Sequence, residues 1–205
     1  MHRLHGVHIT DQHLVWADRE QIYHVALGSE FRGCRIDIAL STRSLLMTHV
    51  KFIDCALHFK RQINNLSFCH VYLEKCQLKG RLFGCEFGRR VDDDPDNPLY
   101  YPEAGIVDTD LSAARLDGCR FISCDMSTIK LPRWPCFTVL DPEAVREQAL
   151  KLPWPGKTYR IPEDWDEEPP GTVAVTDDAR RICKSDGVTE SELRAVVEQI
   201  PGVIM

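Results

Sequence analysis

Between residues 111 and 131 a large apolar side chain recurs at every fifth position: Leu111, Leu116, Phe121, Met126 and Leu131. Two positions before each stands Thr109, Ala114, Cys119, Cys124 or Ile129, mostly small. A helix repeats at about 3.6 residues and a strand at 2, so neither element produces this spacing. The same size-sorted pair returns in phase at Val50/Phe52, Cys55/Leu57, Leu66/Phe68, Val71/Leu73 and Cys76/Leu78, and again at Cys34/Ile36 and Cys85/Phe87. At 43% hydrophobic content apolarity alone arises by chance, so the sorting by size carries the signal. A period of five requires a ribbon that turns a corner at each repeat. Four corners close a coil of about twenty residues, and successive coils stack at about the 4.8 Å strand spacing. The central residue and the one two before it then face inward, the other three outward. The steps from Ile36 to Met47, Leu57 to Ile63 and Leu78 to Leu82 break the period and predict irregular corners. By the same count Arg43 and Arg61 fall at inward positions.

The run TDLSAARLDGCRFISCDM resembles the pentapeptide-repeat family, whose quintets are written A-(D/N)-L-x-x, with a good match over 109–131, a fair one over 47–87 and a faint one over 29–40. The resemblance implies a mainly β fold, a right-handed quadrilateral β-helix. About fifteen buried centres, each worth roughly 1.5–3 kcal/mol, would outweigh any other stabilising feature of the chain.

The flanks read as covers for the solenoid ends. Residues 1–28 alternate in short stretches (GVHIT, HLVW, QIYHVAL), predicting a hairpin or first irregular coil that caps the N-terminal end of a solenoid over 29–131. Residues 88–105 lose the phase, hold three prolines and read as an extruded acidic loop. Residues 132–205 read as a small helical capping and interaction region. Asp141 and Pro142 begin one short helix, a second ends at Gly187, and Thr189 with Glu192 form a capping box for a third. The third helix carries the apolar stripe Leu193, Val196, Val197 and Ile200. That stripe must bury against the solenoid, a second copy of the chain or a partner, so a homodimer through this helix is one expectation.

Charge modifies the picture of partners rather than of fold. The net charge is −6, yet residues 1–90 hold 13 Lys and Arg against 8 Asp and Glu, and residues 91–205 hold 12 against 23. No apolar run approaches the length of a membrane span and no secretory signal opens the chain, so a cytoplasmic protein is expected. Nine cysteines without a C-x-x-C pair read as reduced core filler.

Candidate chemistry is sparse. PGKT at 155–158 lacks the upstream glycine of a phosphate-binding loop, since Lys151 stands there. Asp92, Asp94, Asp96 and Glu103 occupy positions 1, 3, 5 and 12 of a calcium loop, but Asn97 replaces its glycine and no helices flank it. His2, His5 and His8 would not share one strand face. No nucleophile elbow or cysteine–histidine signature occurs. The reading is therefore non-catalytic, with no cofactor and no metal. Proteins similar to this family include bacterial immunity proteins that block a toxin, and the leading expectation is a protein that binds and neutralises a partner protein. Arg89, Arg90, Asp92, Asp94, Asp96 and Glu103 are the candidate contact residues. A first alternative is a DNA mimic acting on a type II topoisomerase, although the outward residues of 109–128 alternate in sign. A second is nucleic-acid binding by the basic N-terminal half, against which the mixed acids and the net charge argue.

Overall fold

The computed structural model describes residues 1–91, 96 and 100–205. The chain winds as a β-solenoid. Its first coil is β1 (His2–His5), β2 (His8–Thr10) and β3 (His13–Trp16), and its second is β4 (Tyr23–Ala26), β5 (Ser29–Arg32) and β6 (Arg35–Ile38). The third comprises β7 (Leu45–Met47), β8 (Val50–Ile53), β9 (Ala56–Phe59) and β10 (Ile63–Asn64). The fourth comprises β11 (Val71–Glu74), β12 (Gln77–Phe83) and β13 (Glu86–Gly88), and the last β14 (Gly105–Val107), β15 (Ala114–Asp117) and β16 (Cys119–Ile122). Strands stack in parallel, side upon side. The second side, β2–β5–β8–β11–β14, spans four full turns with Ile9, Phe31, Phe52, Leu73 and Ile106 in register.

The quintet pairs point inward as the spacing predicts. Leu111, Leu116 and Phe121 are fully buried, as are Phe31, Phe52, Phe68 and Phe87. Their rings stack: Phe31 on Phe52 at 5.2 Å between centroids, Phe68 on Phe87 at 4.8 Å, and Phe87 on Phe121 at 5.3 Å. The small partner ring is largely thiol. Cys34, Cys55, Cys76 and Cys119 each donate to a carbonyl of the preceding coil, from Ile9, Phe31, Phe52 and Leu82. Cysteine therefore fills narrow space while supplying a weak donor to an inward-facing carbonyl. None of the nine forms a disulfide.

The corners explain the slips. Asp11, Gly33, Asp54, Lys75 and Asp108 form one ladder of left-handed residues (φ between +50° and +62°), a conformation that Asp tolerates better than most residues. Between Ile36 and Met47 the chain adds a 3-10 turn, Thr42–Ser44. Between Leu78 and Leu82 no loop intervenes. β12 itself turns the corner at Gly80, where a Cβ would lie 2.4 Å from the Phe59 carbonyl oxygen. Arg43 and Arg61, placed inward by the quintet count, are instead exposed, because the chain around each departs from the five-residue step. Met126 is only half-buried and opens a 3-10 turn, Met126–Thr128.

Of the two forms expected for the N-terminal flank, the structure takes the first coil, and the C-terminal flank adds two strands to the expected helices. Strands β1, β2 and β3 pair in parallel with β4, β5 and β6 on their respective sides, so residues 2–16 are the first coil and not a hairpin. At the other end two strands unread in the sequence, β17 (Cys136–Leu140) and β18 (Thr172–Asp178), extend the sheet. β18 runs antiparallel to β16 and covers the edge of the last coil. Helices α1 (Pro142–Ala149), α2 (Arg160–Glu163), α3 (Ala179–Asp186) and α4 (Glu190–Val197) surround a second small core built on Phe137, Val175, Ile182 and Trp165. The expected caps form: Asp141 on α1, and the reciprocal Thr189–Glu192 box on α4. The stripe Leu193, Val196, Val197 and Ile200 is buried within the chain itself, so it presents no free face to a second copy. Among the described residues no helix is long and apolar enough to cross a membrane.

Candidate functional site

The candidate contact residues all fall within the stretch 88–105. Arg89 donates to the Pro102 carbonyl at 3.1 Å, Arg90 pairs with Glu86 at 2.7 Å, and Glu103 pairs with Lys51 at 2.6 Å while accepting from the Tyr101 hydroxyl. Lys51 lies on β8, so both ends of the loop are tied to the solenoid. Asp96 is exposed at a turn; Asp92 and Asp94 lie outside the described residues. Among the described residues no three carboxylate, imidazole or thiol groups converge as a metal site would require. His5 and His24 touch at 3.1 Å, whereas His2 packs on Tyr23.

A distinct concavity lies elsewhere. Where the outer face of β10, β12 and β15 meets helix α3, a cleft of about 810 Å³ opens. Arg81 and Arg115 line it and are direct register partners on β12 and β15. Asp117 on β15 lines it too, beside Phe83, its partner on β12. From the opposite wall come Arg180, Arg181 and Lys184 of α3. Sequence order separates these two walls by about sixty-five positions, and β18 brings them together by pairing with β16.

Three of the five cations are anchored. Asp178, fully buried, caps α3 by accepting from the Arg180 amide, and binds the guanidinium of Arg180 at 2.9 Å and that of Arg115. Burial opposes its ionisation, but the hydrogen bonds from Arg180 and Arg115 prevail and hold the carboxyl below its usual range. Arg181 pairs with Asp117, and its guanidinium carbon sits 5.2 Å over the Phe83 ring. Arg81 and Lys184 are exposed and have no ion-pair partner among the described residues. Behind the cleft, Asp177 accepts from the Gly118 amide at 3.1 Å. Burial first, then the charge of Asp117, pushes its pKa up to about 6.

A second charged cluster lies on the third side. Asp37 is surrounded by His13, Lys60, Arg35 and His58 at 3.0, 3.0, 3.6 and 3.4 Å. Hydrogen bonds from His13 and Lys60 hold its carboxyl down to about 2.

Of these cations, Arg81 falls in the basic N-terminal half and Arg115 within 109–128, whereas no expectation from the sequence pointed to Arg180, Arg181 or Lys184. The legible signal was the run ARRICK, which sets cations at adjacent and i+4 positions of one short helix. No family model matches the chain, and no curated protein matches it.

Proposed function

We propose that this chain is a non-catalytic interaction protein of the pentapeptide-repeat type, which binds and neutralises a partner protein. The observation that carries the reading is the cleft between the solenoid wall and α3. Three of its four guanidinium groups are fixed before any partner arrives, because Asp178 holds Arg115 and Arg180 and Asp117 holds Arg181. Preorganised contacts lose little ordering entropy on association. The aligned coil interior gives the wall its rigidity, and the antiparallel β18 fixes the helix against it. The resemblance of the quintets supports the family, and the immunity proteins within that family support a neutralising role.

The DNA-mimic reading is weaker, because mimicry asks for rows of carboxylates and the row here runs from Arg81 to Arg115. The test is recovery of the tagged full-length chain from its native cells. The proposal expects one protein partner in stoichiometric amount, whose activity the chain inhibits when the two are mixed. Recovery of no stoichiometric protein under several growth conditions contradicts it.

A further inference from the structure

We infer that the cleft between β10–β12–β15 and α3 receives an extended, carboxylate-rich segment of a partner protein. The inference rests on the interaction reading above and names the chemistry of the partner.

The first ground is charge. Five cations face the cleft; among the described carboxylates Asp117 lines it, and Asp178 and Asp177 stand behind it. The local balance is thus positive in a chain whose net charge is −6. Arg81 and Arg115 stand side by side on adjacent strands, about 4.8 Å apart, an arrangement that costs stability until an anion lies across both. Asp178 relieves Arg115 from behind. Nothing described relieves Arg81, nor Lys184 on the facing wall.

The second ground is the chemistry of the walls. Guanidinium forks match carboxylates in a plane, and three of the five cations are already oriented. The floor adds the amides of Gln62, Asn64 and Asn65, with Gln62 donating to Asn64 at 2.7 Å. Amide side chains offer both a donor and an acceptor, the complement of a peptide backbone. A nucleic-acid strand is served less well. The aromatic ring of the cleft, Phe83, has the Arg181 guanidinium over its face and offers no open platform for a base. Asp117 in the cleft and Asp37 and Asp110 on the neighbouring side interrupt any continuous track for phosphates.

The test is fluorescence anisotropy on the full-length chain with three labelled probes: a peptide alternating Glu and Ser, one alternating Lys and Ser, and oligothymidine of equal length. The compared variants are the double substitution Arg81→Glu with Lys184→Glu, both exposed and unpaired, and a control, Lys75→Glu, on a corner away from the cleft. Circular dichroism checks that each is folded. The acidic peptide should bind wild type and Lys75→Glu alike, weaken at least about tenfold in the double variant, and weaken further as salt rises. Acidic-peptide binding that is absent, or unchanged in the double variant, overturns the inference. So does tighter binding of oligothymidine that the double variant abolishes, which would assign the cleft to nucleic acid. A native protein partner captured equally by wild type and double variant would remove the cleft assignment while leaving the interaction reading in place.

Discussion

Replacing Phe87 with alanine should cost more stability than any other single truncation at the centre of the solenoid. The ring is fully buried and is the middle of a stack of three, 4.8 Å from Phe68 and 5.3 Å from Phe121. Removing its hydrocarbon from the core forfeits about 2–3 kcal/mol of burial. Each lost ring pair adds about 0.5–1.5 kcal/mol, and the three terms overlap because the neighbours share one cavity. The working figure is therefore about 4 kcal/mol, within the range of roughly 3–5 kcal/mol for buried Phe→Ala changes. A domain of this kind holds only about 5–15 kcal/mol in total. The loss also has a location. In a stacked repeat each coil is stabilised by its neighbours, so a gap between coils uncouples the two halves and broadens the transition. Urea unfolding followed by far-ultraviolet circular dichroism reads both effects, as a lower midpoint and a smaller slope. Phe87→Leu should recover most of the loss, and Leu46→Ala, at a side chain 47% exposed, should cost less than about 1 kcal/mol. A Phe87→Ala protein within about 1 kcal/mol of wild type, with an unchanged slope, would refute the stacked-column reasoning.

Three further outcomes follow from the structure. Gly84 (φ +61°) leaves room for Asn65, whose Oδ1 would lie 2.2 Å from an added Cβ, whereas Gly28 (φ +76°) has nothing within 4 Å. Gly84→Ala should thus lose about 1–2 kcal/mol more than Gly28→Ala in thermal or urea melts, and equal losses would contradict the corner geometry. Asp177, with its pKa raised to about 6, binds its proton more tightly folded than unfolded, so its ionisation costs stability as pH rises through about 6. Because the residue is half-buried, Asp177→Asn should gain only about 1–2 kcal/mol over wild type at neutral pH and nothing near pH 4; a constant difference across that window would count against it. Asp178→Ala leaves Arg115 and Arg180 without their buried carboxylate and should cost about 3–5 kcal/mol, with limited proteolysis opening the chain between the last coil and α3.

Much of the scaffold was legible because its physics is local. Large and small side chains alternate in a narrow coil, so Phe52, Phe87 and Phe121 declare their burial through the residues two before them. The helix caps at Asp141 and Thr189 were legible for the same reason, since each acts within three positions of itself. The corners were less so, because Asp54 and Lys75 adopt left-handed backbone without the glycine that usually announces it. Segments CFTVL and TVAVTDD were unread as strands, because each pairs with chain 34 or more positions away and lies among prolines. The cleft was least legible of all. Its two walls come from β12–β15 and α3, and only β18, itself unread, brings Arg115 and Arg180 onto one carboxylate. Conversely the acidic loop drew notice by composition alone, while its described flanks, Arg90 and Glu103, prove to be paired with the solenoid.

Both the cleft and the corner ladders depend on the register in which coils stack. Proton–proton Overhauser contacts among the aromatic rings, in a chain with labelled phenylalanine, measure that register directly. The account predicts contacts from Phe87 to both Phe68 and Phe121, residues that a stacked ribbon alone brings within about 5 Å of each other. Contacts confined to residues three or four positions away in sequence, with none between these rings, would contradict it.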